Sequence, residues 1–144
     1  MQSSRLMLSA MLGAAFVAGY FVRGGTAPES VALAQAASRV YELRTYTVPE
    51  DRLEPLHARF RNHTLRIFPK HGITNVVYFR PQDPEKAKTT MVYLISHASR
   101  QAADQNWAAF RKDPEWQKVA AESGVGQVKI ASEFLEPTGY SPMK

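Results

Sequence analysis

Hydrophobic and polar positions alternate with a period of two in four separate stretches of the chain. Residues 40–47 alternate along their length and are rich in β-forming residues, which predicts a first strand ending before Pro49. Residues 73–80, 89–96 and 128–135 show the same character and predict three further strands. Turn-forming segments separate these stretches, so each one is expected to be a strand of its own.

Two longer stretches carry apolar residues at helical spacing instead. Residues 51–68 predict a first helix, and Gly72 is expected to close it. Residues 99–122 predict a second helical region, with Ser99 as its N-cap. Asp113 followed by proline is expected to restart that helix, because Asp is a good cap and Pro fits the first helical position.

The element order is therefore strand, helix, strand, strand, helix, strand. This order predicts an α+β fold, a ferredoxin-like βαββαβ sandwich with a four-stranded antiparallel sheet and both helices on one face. The other face would carry large apolar side chains, and exposed apolar patches of that size usually mark an interface. We therefore expect a homodimer in which two sheets pair as a dimeric α/β barrel.

The first part of the chain has the pattern of an export segment. Arg5 precedes an uncharged apolar run at residues 6–22, and small residues around Ala34 resemble a cleavage site. The run is also just long enough to anchor the chain in a bilayer. Residues 1–38 are thus a cleaved signal peptide or a membrane anchor with a linker. Either interpretation places the body, residues 39–144, outside the cytoplasm in a periplasmic location, with membrane contact only through the N-terminal segment.

Composition excludes several kinds of chemistry. The chain has no cysteine, so it has neither a thiol nucleophile nor a disulfide. Its net charge is +5, yet several cations fall in the second half of the first helix, where the helix dipole favours them, so we expect no nucleic-acid partner. His57 and His63 diverge around that helix, so no metal site is predicted. No cofactor-binding motif is present, and no cofactor is expected.

The candidate ligand-binding residues lie mainly on the first strand. Glu42, Arg44 and Tyr46 share one face of it, and Tyr78 and Glu133 from other strands join them if the strand register allows. One interpretation is an ion-pair ladder at a surface or interface. The alternative is that this face lines the barrel interior, where Arg44 holds an anionic or carbonyl oxygen and Tyr46 orients it. Arg44 would otherwise pair with Glu42 or Glu133.

His63 is the candidate catalytic residue, because a histidine titrates near neutral pH and can act as a base at a pocket edge. The alternative is a helix-facing histidine that hydrogen-bonds a backbone carbonyl. Trp107, Phe110 and Trp116 are expected to pack in the core rather than to form an aromatic platform for a flat ligand.

Four segments carry a resemblance to a known family: VYELRTYTV, HTLRIFPKHG, WAAFRKDPEW and FLEPTGYSP. Over residues 39–144 the chain resembles the NIPSNAP family. The resemblance implies a ferredoxin-like fold that pairs into a dimeric α/β barrel and a kinship with small barrel monooxygenases. It implies no particular reaction.

Two functions are compatible with these observations. The first is a barrel that binds a small apolar molecule with a carbonyl or acidic oxygen, including a cofactor-independent enzyme of monooxygenase or isomerase type. The second is a non-catalytic interaction module held near the membrane. A cavity of about 300 Å³ or more with converging polar groups would favour the first.

Overall fold

The computed structural model describes residues 39–143, which form a four-stranded antiparallel sheet in the order β2-β3-β1-β4. The strands are β1 (Val40–Thr47), β2 (Thr74–Phe79), β3 (Thr90–His97) and β4 (Lys129–Leu135). With both helical regions on one face, this is the predicted ferredoxin-like fold. The proposed export or anchor segment and its cleavage site lie outside the described residues.

Three main helices cover the sheet. They are α1 (Glu50–Arg59), α2 (Arg100–Lys112) and α3 (Pro114–Glu122). Beyond α1 the chain stays helical through a π-helical turn at Phe60–Thr64, a short α-helical piece at Leu65–Ile67 and a 3-10 turn at Phe68–His71. A further 3-10 turn, Lys86–Lys88, precedes β3.

The predicted caps at the second helical region are confirmed. The Ser99 hydroxyl accepts a hydrogen bond from the Ala102 N–H at 3.0 Å. The Asp113 carboxylate accepts from the backbone N–H groups of Glu115 at 2.7 Å and Trp116 at 3.1 Å. These side chains satisfy donors that the first turns of α2 and α3 leave without helical partners.

The π-helical turn was not predicted, and it changes which residues face the core. The Leu65 N–H bonds the Phe60 carbonyl, five residues back, and the Thr64 hydroxyl bonds the Arg59 carbonyl at 3.3 Å. The extra residue in the turn places Thr64 inside, whereas His63 is only half-buried. Such turns often occur at functional sites because they re-aim side chains.

The hydrophobic core between helices and sheet is rich in aromatic rings. Phe68 packs edge-on against Phe110, with ring centroids 5.0 Å apart, and Tyr93 stacks on Tyr78 at 5.4 Å. Trp107 closes this cluster from α2. Aromatic side chains bury a large apolar area each, so this layer supplies most of the energy that holds the helices on the sheet.

The other face of the sheet has no layer of helices over it. Its apolar side chains are half-buried or exposed: Leu43, Val77, Phe79, Val92 and Leu94. The strand register places them on one surface, with Leu43 and Val77 both opposite Leu94 and Phe79 opposite Val92. A continuous apolar surface of this kind is typical of an interface.

No helix within residues 39–143 is long and apolar enough to cross a bilayer.

Candidate functional site

The side chains of Glu42, Arg44 and Tyr46 lie on the face of β1 that the helices cover. The Arg44 guanidinium lies 4.2 Å from the ring centre of Trp107 on α2, and Tyr46 belongs to the core. The hypothesis that this face lines a barrel formed by two sheets is therefore corrected. The open face carries Leu43 and its neighbours instead, so a second sheet would not cover Arg44.

The register of the sheet decides which predicted residues join Arg44. Tyr78, Tyr93, Arg44 and Ser132 form one row across the four strands. Residues paired across strands point to the same face, so Tyr78 joins the site as the sequence suggested. Glu133 pairs with Leu43 and points to the open face, so it does not join. Ser132, one residue earlier, takes that place.

Glu42 is the centre of a buried hydrogen-bond network that draws donors from four elements. Glu42 is 1% exposed. Its carboxylate accepts one hydrogen bond from the Arg44 guanidinium and another from the Ser132 hydroxyl, and the Ser132 bond is 2.5 Å long. The Trp107 indole N–H donates at 2.7 Å and the His97 ring at 3.1 Å. A buried carboxylate is stable only when it is paired and hydrogen-bonded in this way.

The network holds Glu42 in its charged form. Burial opposes the charge most strongly, but the hydrogen bonds from His97, Ser132 and Trp107, together with the charge of Arg44, outweigh burial and lower the pKa of Glu42 to about 2. Burial likewise opposes the charge on Arg44, whereas Tyr46, Tyr93 and Glu42 outweigh burial and raise the pKa of Arg44 above its ordinary value. The pair is therefore ionised throughout the physiological range.

The position of the proton on His97 follows from its neighbours. The Asn106 side-chain amide donates to the Gly72 carbonyl at 2.9 Å and to His97 Nδ1 at 3.2 Å. A carbonyl oxygen only accepts, so the amide nitrogen is the donor and Nδ1 is an acceptor. His97 Nε2 therefore carries the proton that it donates to Glu42. Glycine suits position 72 for two reasons: its φ of 70° is left-handed, and a Cβ there would lie 3.0 Å from the Asn106 side chain.

Sequence reasoning missed His97 and assigned Trp107 to packing alone. Continuing the alternation of β3 by one residue puts His97 on the same face as Tyr93 and Ile95, which was an available signal. The indole hydrogen bond from Trp107 depends on how α2 lies across β1, and no local pattern encodes that.

Several buried polar atoms of this region have no partner. Within residues 39–143, the buried side-chain atoms without a hydrogen bond include Arg44 Nε, Arg59 Nε and the Tyr93 hydroxyl. All three residues interact electrostatically with Tyr46, and Tyr93 is fully buried. Burial raises the pKa of Tyr93 and lowers the pKa of Arg59. Native proteins leave few such groups unpaired, so each of these atoms requires an explanation.

His63 does not belong to this cluster. Its half-buried ring makes no hydrogen bond within the described part of the chain, neither to a backbone carbonyl nor to another side chain. It lines a cavity of about 140 Å³ together with Arg59, Asn62 and Ser123.

A larger groove, of about 1030 Å³, lies at another place, where the end of β1 meets the end of α3. Val48, Arg52, Gly124 and Lys129 are among the residues that line it. Its volume is at the upper end of ordinary ligand pockets, and its walls are mostly small or apolar, with Thr47, Arg52, Gln127 and Lys129 as the polar residues. Residues 39–143 contain no group of three His, Cys, Asp or Glu side chains able to hold a metal ion.

The antiparallel sheet, the one-sided helical layer and the strand order define the class of protein. It is a ferredoxin-like α+β domain with the fold of the dimeric α/β-barrel proteins.

Residues 41–142 match the family model of NIPSNAP, and the chain belongs to the NIPSNAP family. No curated protein matches it. An uncharacterized NIPSNAP-like domain protein from Burkholderia xenovorans is 17% identical, with a TM-score of 0.64 over 74% of this chain and 90% of that one. A NIPSNAP family protein of unknown function from Agrobacterium tumefaciens is 17% identical, with a TM-score of 0.64 over 75% and 96% of the two chains.

A more distant structure is similar as well. A mutant form of SnoaB, a cofactor-independent oxygenase from Streptomyces nogalater, is 16% identical, with a TM-score of 0.51 over 74% of this chain and 99% of that one. At such identities the similarity shows a shared fold and says nothing of this chain's reaction.

Proposed function

We propose that this protein binds a small organic molecule through an acidic or carbonyl oxygen, at the cluster formed by Arg44, Tyr46, Tyr78 and Tyr93. The observation that carries the proposal is the pair of buried, unbonded donors in one place, Arg44 Nε and the Tyr93 hydroxyl. An unsatisfied buried donor costs about 1–3 kcal/mol, and an acceptor oxygen from a ligand would remove that cost.

A ligand would reach this cluster from the side of β4. Ser132 lies opposite Arg44 and Ile130 lies opposite Tyr46, so both point to the helix-covered side. Ile130 is nevertheless 49% exposed, and most of β4 is exposed, because the helices do not extend over this edge strand. The Arg44 side chain is 12% exposed, and Ile130 offers an apolar contact for the body of the ligand.

The same donors suit a reaction without a cofactor. Groups that hold a carbonyl oxygen also stabilise the negative charge that it gains when a neighbouring proton leaves. Arg44 is charged and fixed by Glu42, so it is already oriented before a ligand binds. Isomerisation of an acidic or carbonyl compound, or its oxygenation by molecular oxygen, is the enzymatic form of the proposal.

Ligand-induced thermal stabilisation tests the proposal. A panel of small carboxylic acids, ketones and phenols is added to the purified protein, and a binder raises the melting temperature with the logarithm of its concentration. Tyr46→Phe should weaken the response by about 1 kcal/mol, the net value of one hydrogen bond, and Arg44→Met should abolish it. Arg61→Met, an exposed change, is the control. A binder that stabilises Arg44→Met as well as the parent protein would contradict the proposal.

We further propose that the protein is a homodimer, paired through the open face of its sheet. The support is the apolar surface of Leu43, Val77, Phe79, Val92 and Leu94. Light scattering at micromolar concentration should give the dimer mass, and Leu94→Glu should give the monomer, because a charge at a packed interface is not solvated. A monomer mass for the parent protein would refute the pairing.

The N-terminal segment supports a location outside the cytoplasm. We propose that the body is released in the periplasm after cleavage near Ala34 or stays anchored through residues 6–22. Mass spectrometry of the native protein should find a mature start at Gln35 or the full-length chain in the membrane fraction. Intact protein in the soluble cytosol would contradict both forms.

An interaction module near the membrane is the second candidate function. One observation favours it: Arg44 is already bonded to Glu42 and packed against Trp107, as a purely structural arginine would be. If no compound in the panel changes the melting temperature of the parent protein, the second candidate is the better account.

A further inference from the structure

We propose that Arg59 forms a second, separate binding subsite, which takes a compact oxyanion of carboxylate or phosphate type. The subsite is the cavity of about 140 Å³ that Arg59 lines with Asn62, His63 and Ser123. Pro55 and Ala58 complete its wall.

The first support is the state of the Arg59 side chain. Only 8% of this residue is exposed, yet its guanidinium forms no hydrogen bond and no ion pair within residues 39–143. Its contact in the structure is the ring of Trp116, 5.2 Å from the centre of the guanidinium. A buried guanidinium is costly unless an anion or a set of acceptors accompanies it.

The second support is the composition of the cavity wall. Asn62 and His63 carry side chains that can donate a hydrogen bond, and no carboxylate lines the cavity. The Ser123 hydroxyl already donates to the Ala120 carbonyl at 3.2 Å, so it can only accept. The His63 ring makes no hydrogen bond within the described chain, so it is available to a guest. The local charge is therefore positive, and the missing partner is an anion.

The size of the cavity narrows the class of ligand. About 140 Å³ corresponds to roughly four or five water molecules at about 30 Å³ each. That space suits a carboxylate or a phosphate group. The planar fork of an arginine matches both groups, because it donates two parallel hydrogen bonds to two oxygens.

The π-helical turn explains why Arg59 points inward. The turn begins directly after Arg59, and the Thr64 hydroxyl bonds the Arg59 carbonyl at 3.3 Å. This arrangement places Phe60 and Thr64 in the core beside Arg59, while Asn62 and His63 stay at the cavity mouth. The inference does not need Arg44 to bind a ligand. Both guanidinium groups interact electrostatically with Tyr46 and Tyr93, but no residue of the first site lines the cavity of Arg59.

The direct test is an NMR titration of the purified protein that follows the Arg59 Nε–H signal. Sodium acetate and sodium phosphate are added separately at constant ionic strength, with sodium chloride as the reference. We expect a saturating shift of this signal with acetate, with phosphate or with both. Saturation by acetate alone assigns a carboxylate site and saturation by phosphate alone assigns a phosphate site.

Variants decide whether the binding belongs to Arg59. Because Arg59→Met removes the reporting Nε–H, binding in all the variants is followed through the ring signals of His63, which lines the same cavity. Arg59→Met should weaken it by about tenfold or more, the value of a charged hydrogen bond. Asn62→Asp puts a carboxylate at the exposed mouth and should also weaken it, which keeps the test valid if Arg59→Met does not fold. Arg61→Met, on the same helical stretch, should leave it unchanged, because Arg61 is exposed and paired with Glu54. An Arg59 Nε–H shift that never saturates in the parent protein, or a saturating shift of the His63 ring signals that persists in both Arg59→Met and Asn62→Asp, would overturn the proposal.

Discussion

Two buried arginines on the same side of the sheet have opposite surroundings. Arg44 lies against Trp107 and is bonded to Glu42, which three further donors hold in place. The guanidinium of Arg59 lies against Trp116 and makes no hydrogen bond or ion pair within residues 39–143. Both have an aromatic neighbour, so the difference is the carboxylate. The Arg44 charge is therefore balanced before any ligand binds, whereas the Arg59 charge has no balancing anion in the described residues.

Removing the carboxylate is expected to have the largest effect on stability. Glu42→Leu leaves the Arg44 charge buried and four donors without their acceptor, so the free energy of unfolding should fall by about 4 kcal/mol. Urea denaturation measures this. Glu54→Leu removes an exposed carboxylate that pairs with Arg61, and it should leave the urea midpoint almost unchanged. Equal effects of the two changes would show that the Glu42 network does not stabilise the fold.

The second-largest effect is expected from acid, which should lower the free energy of unfolding by protonating Glu42. The pKa of Glu42 falls from 4.5 to about 2 on folding, so the unfolded chain binds the proton more readily than the folded one. The charged carboxylate therefore contributes fully to the free energy of unfolding above pH 4.5. About 3 kcal/mol of that free energy is lost as the pH falls from 4.5 towards 2. The slope of unfolding free energy against pH measures it. A slope of the same size in Glu42→Gln would contradict the assignment.

The fold was largely predictable because it depends on local periodicity. The strand Val40–Thr47 and the caps Ser99 and Asp113 lie where alternation and helix signals put them. The site was only half predictable. Alternation placed Glu42, Arg44 and Tyr46 on one face, but both faces of β1 mix polar and apolar residues, so the sequence did not decide which face the helices cover.

The remaining errors come from features that have no local pattern. A shift of one residue in the register of β4 exchanges Ser132 for Glu133, because successive side chains point to opposite faces. The π-helical turn adds one residue to a helical period, and this puts Thr64 rather than His63 in the core. The sequence indicated only that Arg59 is one of the cations in the second half of the first predicted helix. Only the packing of α3 above it shows that it is buried.

A smaller change separates hydrogen bonding from packing in the Arg44 region. Trp107→Phe removes the indole N–H that bonds Glu42 at 2.7 Å but keeps an aromatic ring near Arg44. The free energy of unfolding should fall by about 2 kcal/mol, more than one neutral hydrogen bond gives, because the acceptor is charged. Trp116→Phe is the matched control beside Arg59, since Trp116 is only partly buried and packs on the edge of the core. If both changes cost the same, the hydrogen bond to Glu42 contributes nothing beyond packing.

The most direct measurement of the central claim compares Arg44→Met with Arg59→Met by urea unfolding under identical conditions. Arg44→Met should lower the free energy of unfolding by about 3 kcal/mol, because it leaves Glu42 charged and buried without its cation. Arg59→Met should leave it unchanged or raise it by about 1 kcal/mol, because an unpaired buried charge is replaced by an apolar chain. If Arg59→Met destabilises the protein as much as Arg44→Met does, Arg59 has a structural partner and the distinction between the two arginines is wrong.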